Sequence, residues 1–308
     1  MAYALPIAYA LFLWWFATGL IFFLDQLPVR TFKWSMAGGT ALLAASLWVI
    51  WAMSGDSSLF AVYASFTGGV LAWGWQELSL YTGYVTGPRK QSCPAGCSGW
   101  RHFGHALGVN LWHEVAIVAV ALTIWGLCGK AVNNWGLWAY ILLWAMHLSA
   151  RLNVFLGVRN VSEEFVPAHM AVLKSFLTRK SMNLLFPFSI TAATIGAVLL
   201  FQQAFSADLA AERAGWSLLA ALAALAVFHN DGGVRARQQQ RLVADVGGAM
   251  LQRIDLHRAG KPSAIAAREE HRRLTGRREH ARHGQRRRCL ARATDGRIAD
   301  AHDGHTGA

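Results

Sequence analysis

Apolar blocks of about twenty residues recur along this chain, and that is the length an α-helix needs to cross roughly 30 Å of hydrocarbon. They fall at about 3–24, 35–54, 59–81, 107–128, 135–157 and 183–205, with a shorter run from Ala214 to Phe228. Hydrocarbon offers no water to a bare peptide group, so each block must satisfy its backbone internally, as a helix. The expected fold is therefore all-α: a polytopic transmembrane bundle of six to seven helices. Composition agrees, since 54% hydrophobic and 15% charged residues is too apolar for an ordinary soluble domain. The first block carries no charge before Asp25 and lacks a basic leader region. It reads as a first membrane helix rather than a removed signal peptide.

The formal charge of +12 hides two chemistries. Residues 1–228 hold 12 of the 29 Lys and Arg and all 36 aromatics, and form the expected bundle. Residues 229–308 hold the other 17 basic residues, only one of them Lys, and no aromatic. This basic tail is expected to be disordered. One origin is out-of-frame translation of GC-rich DNA: suitable codons for Asn230-Asp231-Gly232-Gly233, read one base later, give Met-Met-Val-Val. The alternative is a genuine tail that binds RNA or anionic lipid, the one route by which nucleic acid would become a partner.

Loop charges orient the bundle, because short cytoplasmic loops collect Lys and Arg. The loops after the first, third and fifth spans hold nine: Arg30, Lys33, Arg89, Lys90, Arg101, Arg159, Lys174, Arg179 and Lys180. The intervening loops hold two, Lys130 and Arg213. The N-terminus is thus expected outside, periplasmic if the cell is bacterial. In that frame Glu77, His113, Glu114, Arg151 and Asn153 fall roughly 5–10 Å inside the cytoplasmic boundary at 1.5 Å per residue. His147 lies one turn deeper than Arg151, on the same face. Charge within a span is expensive and marks a functional site by default. Arg151 either snorkels to the headgroups or pairs with Glu77 or Glu114 in a polar layer shared by three helices.

Three further features carry chemistry. Cys93, Cys97, His102 and His105 are zinc-type ligands within 13 residues. Their spacing is loose, and a metal-free loop rich in Gly and Pro is the reading preferred from sequence. Ser162 to Lys180 reads as an amphipathic helix on the cytoplasmic surface, capped by Ser162 with Glu163 and Glu164 at its positive end. Its Lys174, Arg179 and Lys180 would face lipid headgroups or a docking partner. Lastly, His113 or His147 has the chemistry to ligate a pigment magnesium or haem iron, although a bundle histidine is more often simply hydrogen-bonded. No phosphate loop, nucleophile elbow or zinc-protease motif occurs, so the chain is not expected to be an enzyme.

Particular runs point to a family. LFLWWFATG from position 11, WGWQELSLYTGYVTGPR (73–89), His113-Glu114, LSARLNVFLGVRNVSEEF (148–165) and MNLLFPFS (182–189) place polar residues at set points within apolar spans. Together they resemble the photosynthetic complex assembly protein 2 family, the PuhE-type proteins of purple phototrophic bacteria, over nearly all of residues 5–228. The resemblance implies a multi-pass inner-membrane factor supporting assembly of the reaction centre and core antenna. It would act through contacts with lipid and with reaction-centre or antenna subunits, and bacteriochlorophyll handling is conceivable at the polar layer. A transporter of small solutes or pigment precursors is the alternative, and it lacks an internal repeat. Two departures stand out: Gln76 occupies a place where His is expected before Glu77, and the last apolar run is only about 15 residues, short of a full span.

Overall fold

The computed structural model describes residues 2–94, 96–157, 168–177 and 183–231. Among them there is no strand. The helices are α1 (Ala4–Asp25), α2 (Phe32–Met53), α3 (Leu59–Tyr81), α4 (Gly99–Cys128), α5 (Trp135–Leu156), α6 (Leu185–Ser206) and α7 (Ala210–Asp231). Short 3-10 turns cover Val29–Thr31 and Ala168–Phe176. Among the described residues five segments are long and apolar enough to cross a membrane: α1, α2 with its leading 3-10 turn, α4, α5 and α6.

The other two long helices form the middle of the bundle. Thirteen of the 23 residues of α3 are buried, and α3 packs against α1, α2, α4, α5 and α7. In α7 the run from Ser217 to Ala223 is buried. A helix sheathed by other helices need not match the apolarity of lipid, which is why α3 tolerates buried Ser65, Gln76 and Ser79. Its start is set locally. Asp56 accepts the Ser58 N–H at 2.7 Å, and Ser58 Oγ accepts the Ala61 N–H at 3.2 Å as an N-cap. The outer faces carry Trp15, Trp34, Trp48, Trp51, Trp112 and Trp125, all exposed.

Several expectations shift. Helix α4 begins at Gly99, eight residues before the expected 107, so His102 and His105 sit on its first turns and not in a loop. Helix α7 has 22 residues, longer than its apolar run, because Ala210–Arg213 add a polar first turn, in which Glu212 suits the positive helix end, and His229–Asp231 extend its end. Of the expected surface helix, only Ala168–Phe176 and Leu177 are described. They form a 3-10 turn, whose three-residue period differs from the α-helical stripe expected. Glu163, Glu164, Arg179, Lys180 and the tail from residue 232 lie outside the described residues.

Among the described residues, Asn183 ties the end of α5 to the start of α6. Gly157, at φ 116°, ends α5 in a conformation that suits glycine. Asn183 Nδ2 then donates to Asn153 O at 3.1 Å and to Gly157 O at 2.8 Å, while its Oδ1 accepts the Phe186 N–H at 2.9 Å. Asn183→Ala is expected to destabilise the protein by about 1–3 kcal/mol, because it strips buried backbone groups of partners. A lowered thermal midpoint of the detergent-solubilised variant checks this, and an unchanged midpoint would refute it.

Candidate functional site

The site is built where α3, α4 and α5 meet. On α5, Tyr140, His147 and Arg151 are spaced by seven and four and so share one face. Arg151 Nη1 donates to Glu114 Oε1 of α4 in a close ion pair and lies 3.3 Å from His147 Nε2. On its other side His147 Nδ1 is 2.9 Å from Glu77 Oε1 of α3. A continuous chain results: Glu77, His147, Arg151, Glu114. Of the residues expected in a polar layer, the structure brings together Glu114 with Arg151 and Glu77 with His147.

Around this chain the walls are aromatic. Trp73 packs its ring edge-on to His147 at 5.2 Å and to Tyr140 at 5.6 Å between centroids. Tyr140 donates to Ile117 O at 3.1 Å and accepts from Gln76 Nε2 at 2.8 Å. Gln76 is therefore a buried clamp between α3 and α5, a use that its position in the Trp-Gln-Glu run did not disclose. Tyr140 and Trp73 are site residues that no motif marks, and the one signal in the sequence is the seven-residue spacing of Tyr140 from His147.

His113 behaves differently from its neighbours. Its ring stands 5.7 Å from that of His147 and is 0% exposed. Neither ring nitrogen has a hydrogen-bond partner among the described residues. Its backbone N–H donates to Thr86 O at 2.9 Å, and Arg89 N–H donates to Gly108 O at 3.1 Å. The segment after α3 thus runs back along α4. Gly87 permits this approach, since a Cβ there would lie 2.1 Å from Gly108 O. Asn153 belongs elsewhere. Its Nδ2 donates to Ser149 O at 2.9 Å and to Ser189 Oγ of α6 at 3.0 Å, away from the layer.

The layer forms the polar end of a cavity of about 770 Å³. Its apolar walls come from α1 (Trp14, Ile21), α3 (Val70, Trp73), α4 (Phe103, Leu107) and α5 (Leu143, Phe155). Its polar lining includes Glu77, Glu114, His147, Arg151 and Asn110. Leu173, Phe176 and Leu177 close one side, so the described part of the supposed surface segment faces the cavity with its apolar residues, while Lys174 stays exposed. Such a space, mostly apolar with a few convergent polar groups, has the size and character of a ligand pocket. Axial ligation of a pigment metal does not fit either histidine: His113 is walled in, and both ring nitrogens of His147 are engaged. A ligand here would be held by its apolar body and by a polar edge at Arg151–Glu114.

Beside the cavity, Cys93 Sγ lies 3.1 Å from His102 Nδ1 and 3.5 Å from His105 Nδ1, and Cys97 Sγ lies 3.4 Å from His105 Nδ1. Burial and the adjacent Cys97 push the Cys93 thiol up from its ordinary range, against the opposing pull of Arg89 and Arg101.

A family model described as protein of unknown function (DUF3623) matches residues 1–230. The chain is 33% identical over 224 residues, 71% of its length, to a Rhodobacter capsulatus protein described as an uncharacterized 30.4 kDa protein in the puhA 5′ region, of which the match covers 82%. No solved structure matches.

Proposed function

The chain belongs to the protein family described as protein of unknown function (DUF3623), and from that membership we propose that it is a non-enzymatic membrane assembly factor for the photosynthetic reaction centre and its core antenna. The observation that carries this reading is the Rhodobacter capsulatus relative, whose name places it in the puhA 5′ region. The runs that resemble PuhE-type proteins support the same assignment.

In this reading all seven long helices span the inner membrane, with the N-terminus periplasmic. Helices α3 and α7 cross it inside a sheath formed by the others. The exposed tryptophans give the bundle broad aromatic outer faces against which subunit helices can pack. The cavity takes one amphipathic molecule of pigment size. The apolar walls hold its body, and Arg151 offers a charged hydrogen-bond donor to its polar edge. The family match ends at residue 230, next to the place where aromatics cease and basic residues crowd the chain, which supports the out-of-frame reading of the tail.

Deleting the gene from the phototrophic host and recording the absorption of its membranes tests the function. The core-antenna and reaction-centre bands are expected to fall several-fold and to return with a plasmid copy. Normal bands would remove the proposal. A pigment-precursor transporter, which the polar-ended cavity also suits, would lower the pigment content of every pigment–protein complex, and the protein would not co-purify with complex subunits.

A further inference from the structure

We propose that Cys93, Cys97, His102 and His105 form a structural zinc site that staples the wall of the cavity. This inference is independent of the photosynthetic role. Around one tetrahedral zinc, with Zn–S of about 2.3 Å and Zn–N of about 2.0–2.1 Å, a sulfur and a nitrogen ligand stand about 3.5 Å apart. The three sulfur–nitrogen distances are 3.1, 3.5 and 3.4 Å. Cys93, Cys97 and His102 also offer donor atoms that all lie within 4.8 Å of one another.

One metal ion would satisfy all three sulfur–nitrogen contacts at once. The ligand set of two thiolates and two imidazoles is the composition of a closed zinc site, with no open position for catalysis. Backbone structure arranges it: His102 and His105 occupy one face of α4, three residues apart, and the preceding loop brings both sulfurs to that face.

The surroundings say what the staple does. The His102 ring stacks on Phe155 of α5 at 5.2 Å and leans on Phe176 at 5.4 Å. Cys93 N–H donates to Ser175 Oγ at 3.2 Å, tying the loop to the 168–176 turn. Phe155 and Phe176 are themselves cavity walls. An ion held here fixes the loop, the start of α4, the end of α5 and the 168–176 turn as one unit.

The test uses the full chain carrying a non-histidine tag, purified in detergent and analysed for metals. About one zinc per chain is expected, falling at least about tenfold in Cys97→Ser and in His105→Ala. Chelator-treated protein given cobalt should develop the thiolate charge-transfer absorption and the visible bands of a tetrahedral ion. Should the variants fail to fold, alkylation of the unsubstituted chain decides: zinc should protect the Cys93 and Cys97 peptides. Metal-free folded protein that takes up neither zinc nor cobalt would overturn the site. So would equal zinc in folded variants, unprotected thiols, or a Cys93–Cys97 disulfide in protein isolated under thiol-blocking conditions.

Discussion

Replacing Arg151 by Leu is expected to destabilise the solubilised protein by about 3–5 kcal/mol, the usual consequence of orphaning a buried charge. The side chains of Arg151 and Glu114 are 27% and 24% exposed, and both line the cavity. Without the guanidinium, Glu114 is left as an uncompensated carboxylate in an apolar surround, and His147 Nε2 loses its neighbour. The double variant Arg151→Met with Glu114→Leu removes both charges and should recover most of the loss, since a buried pair replaced by apolar residues of similar volume is often near neutral. With the single variants Arg151→Met and Glu114→Leu it closes a double-mutant cycle, which isolates the pair from whatever else each substitution disturbs. Unchanged accumulation and an unchanged thermal midpoint for Arg151→Leu would show that the side chain snorkels free of Glu114.

The second large effect lies where α3 and α5 cross. A Cβ on Gly69 would lie 2.2 Å from Gly136 O, and one on Gly136 would lie 2.5 Å from Ser65 O. Both obstacles are backbone atoms and cannot rotate aside. The Gly136 N–H also donates to Ser65 Oγ at 3.0 Å, a bond between helices that requires this closeness. Small residues at such crossings allow the backbones to approach in a membrane bundle. Gly69→Ala is therefore expected to cost about 1–3 kcal/mol through overpacking, despite the better helix propensity of alanine. It should also disturb the site, because the same two helices carry Trp73, Glu77 and His147. Gly19→Ala on α1 is the control: nothing lies within 4 Å of its added Cβ, and it should be neutral or mildly stabilising. If the two variants unfold at the same temperature, the crossing is looser than described.

The layer was partly legible because depth follows from counting. At 1.5 Å per residue, the distance of Glu77, Glu114 and Arg151 from their span ends places them at one level before any packing is known. Rotation about the helix axis is a different matter. Asn153 sits two residues beyond Arg151, about 200° around α5, so equal depth still sends it to Ser189 of α6. That spacing was available in the sequence and outweighs the shared level. The loop ligands were harder to judge. Their spacing is loose, and only the helical start at Gly99 aligns His102 with His105 against the two thiols.

By itself the sequence determined the apolar helices, their order and the positions along them at which polar groups interrupt, since each depends on local composition and a constant rise per residue. Tertiary structure alone decided the partners. Arg151 joins Glu114 and not Glu77, Gln76 joins Tyr140, and α3 becomes the centre of the bundle. The cavity is likewise a product of packing, because its walls come from residues as distant as Trp14 and Leu177. Those outcomes depend on the relative rotation of whole helices. That rotation is set by close contacts such as Gly69 on Gly136, which no single segment encodes.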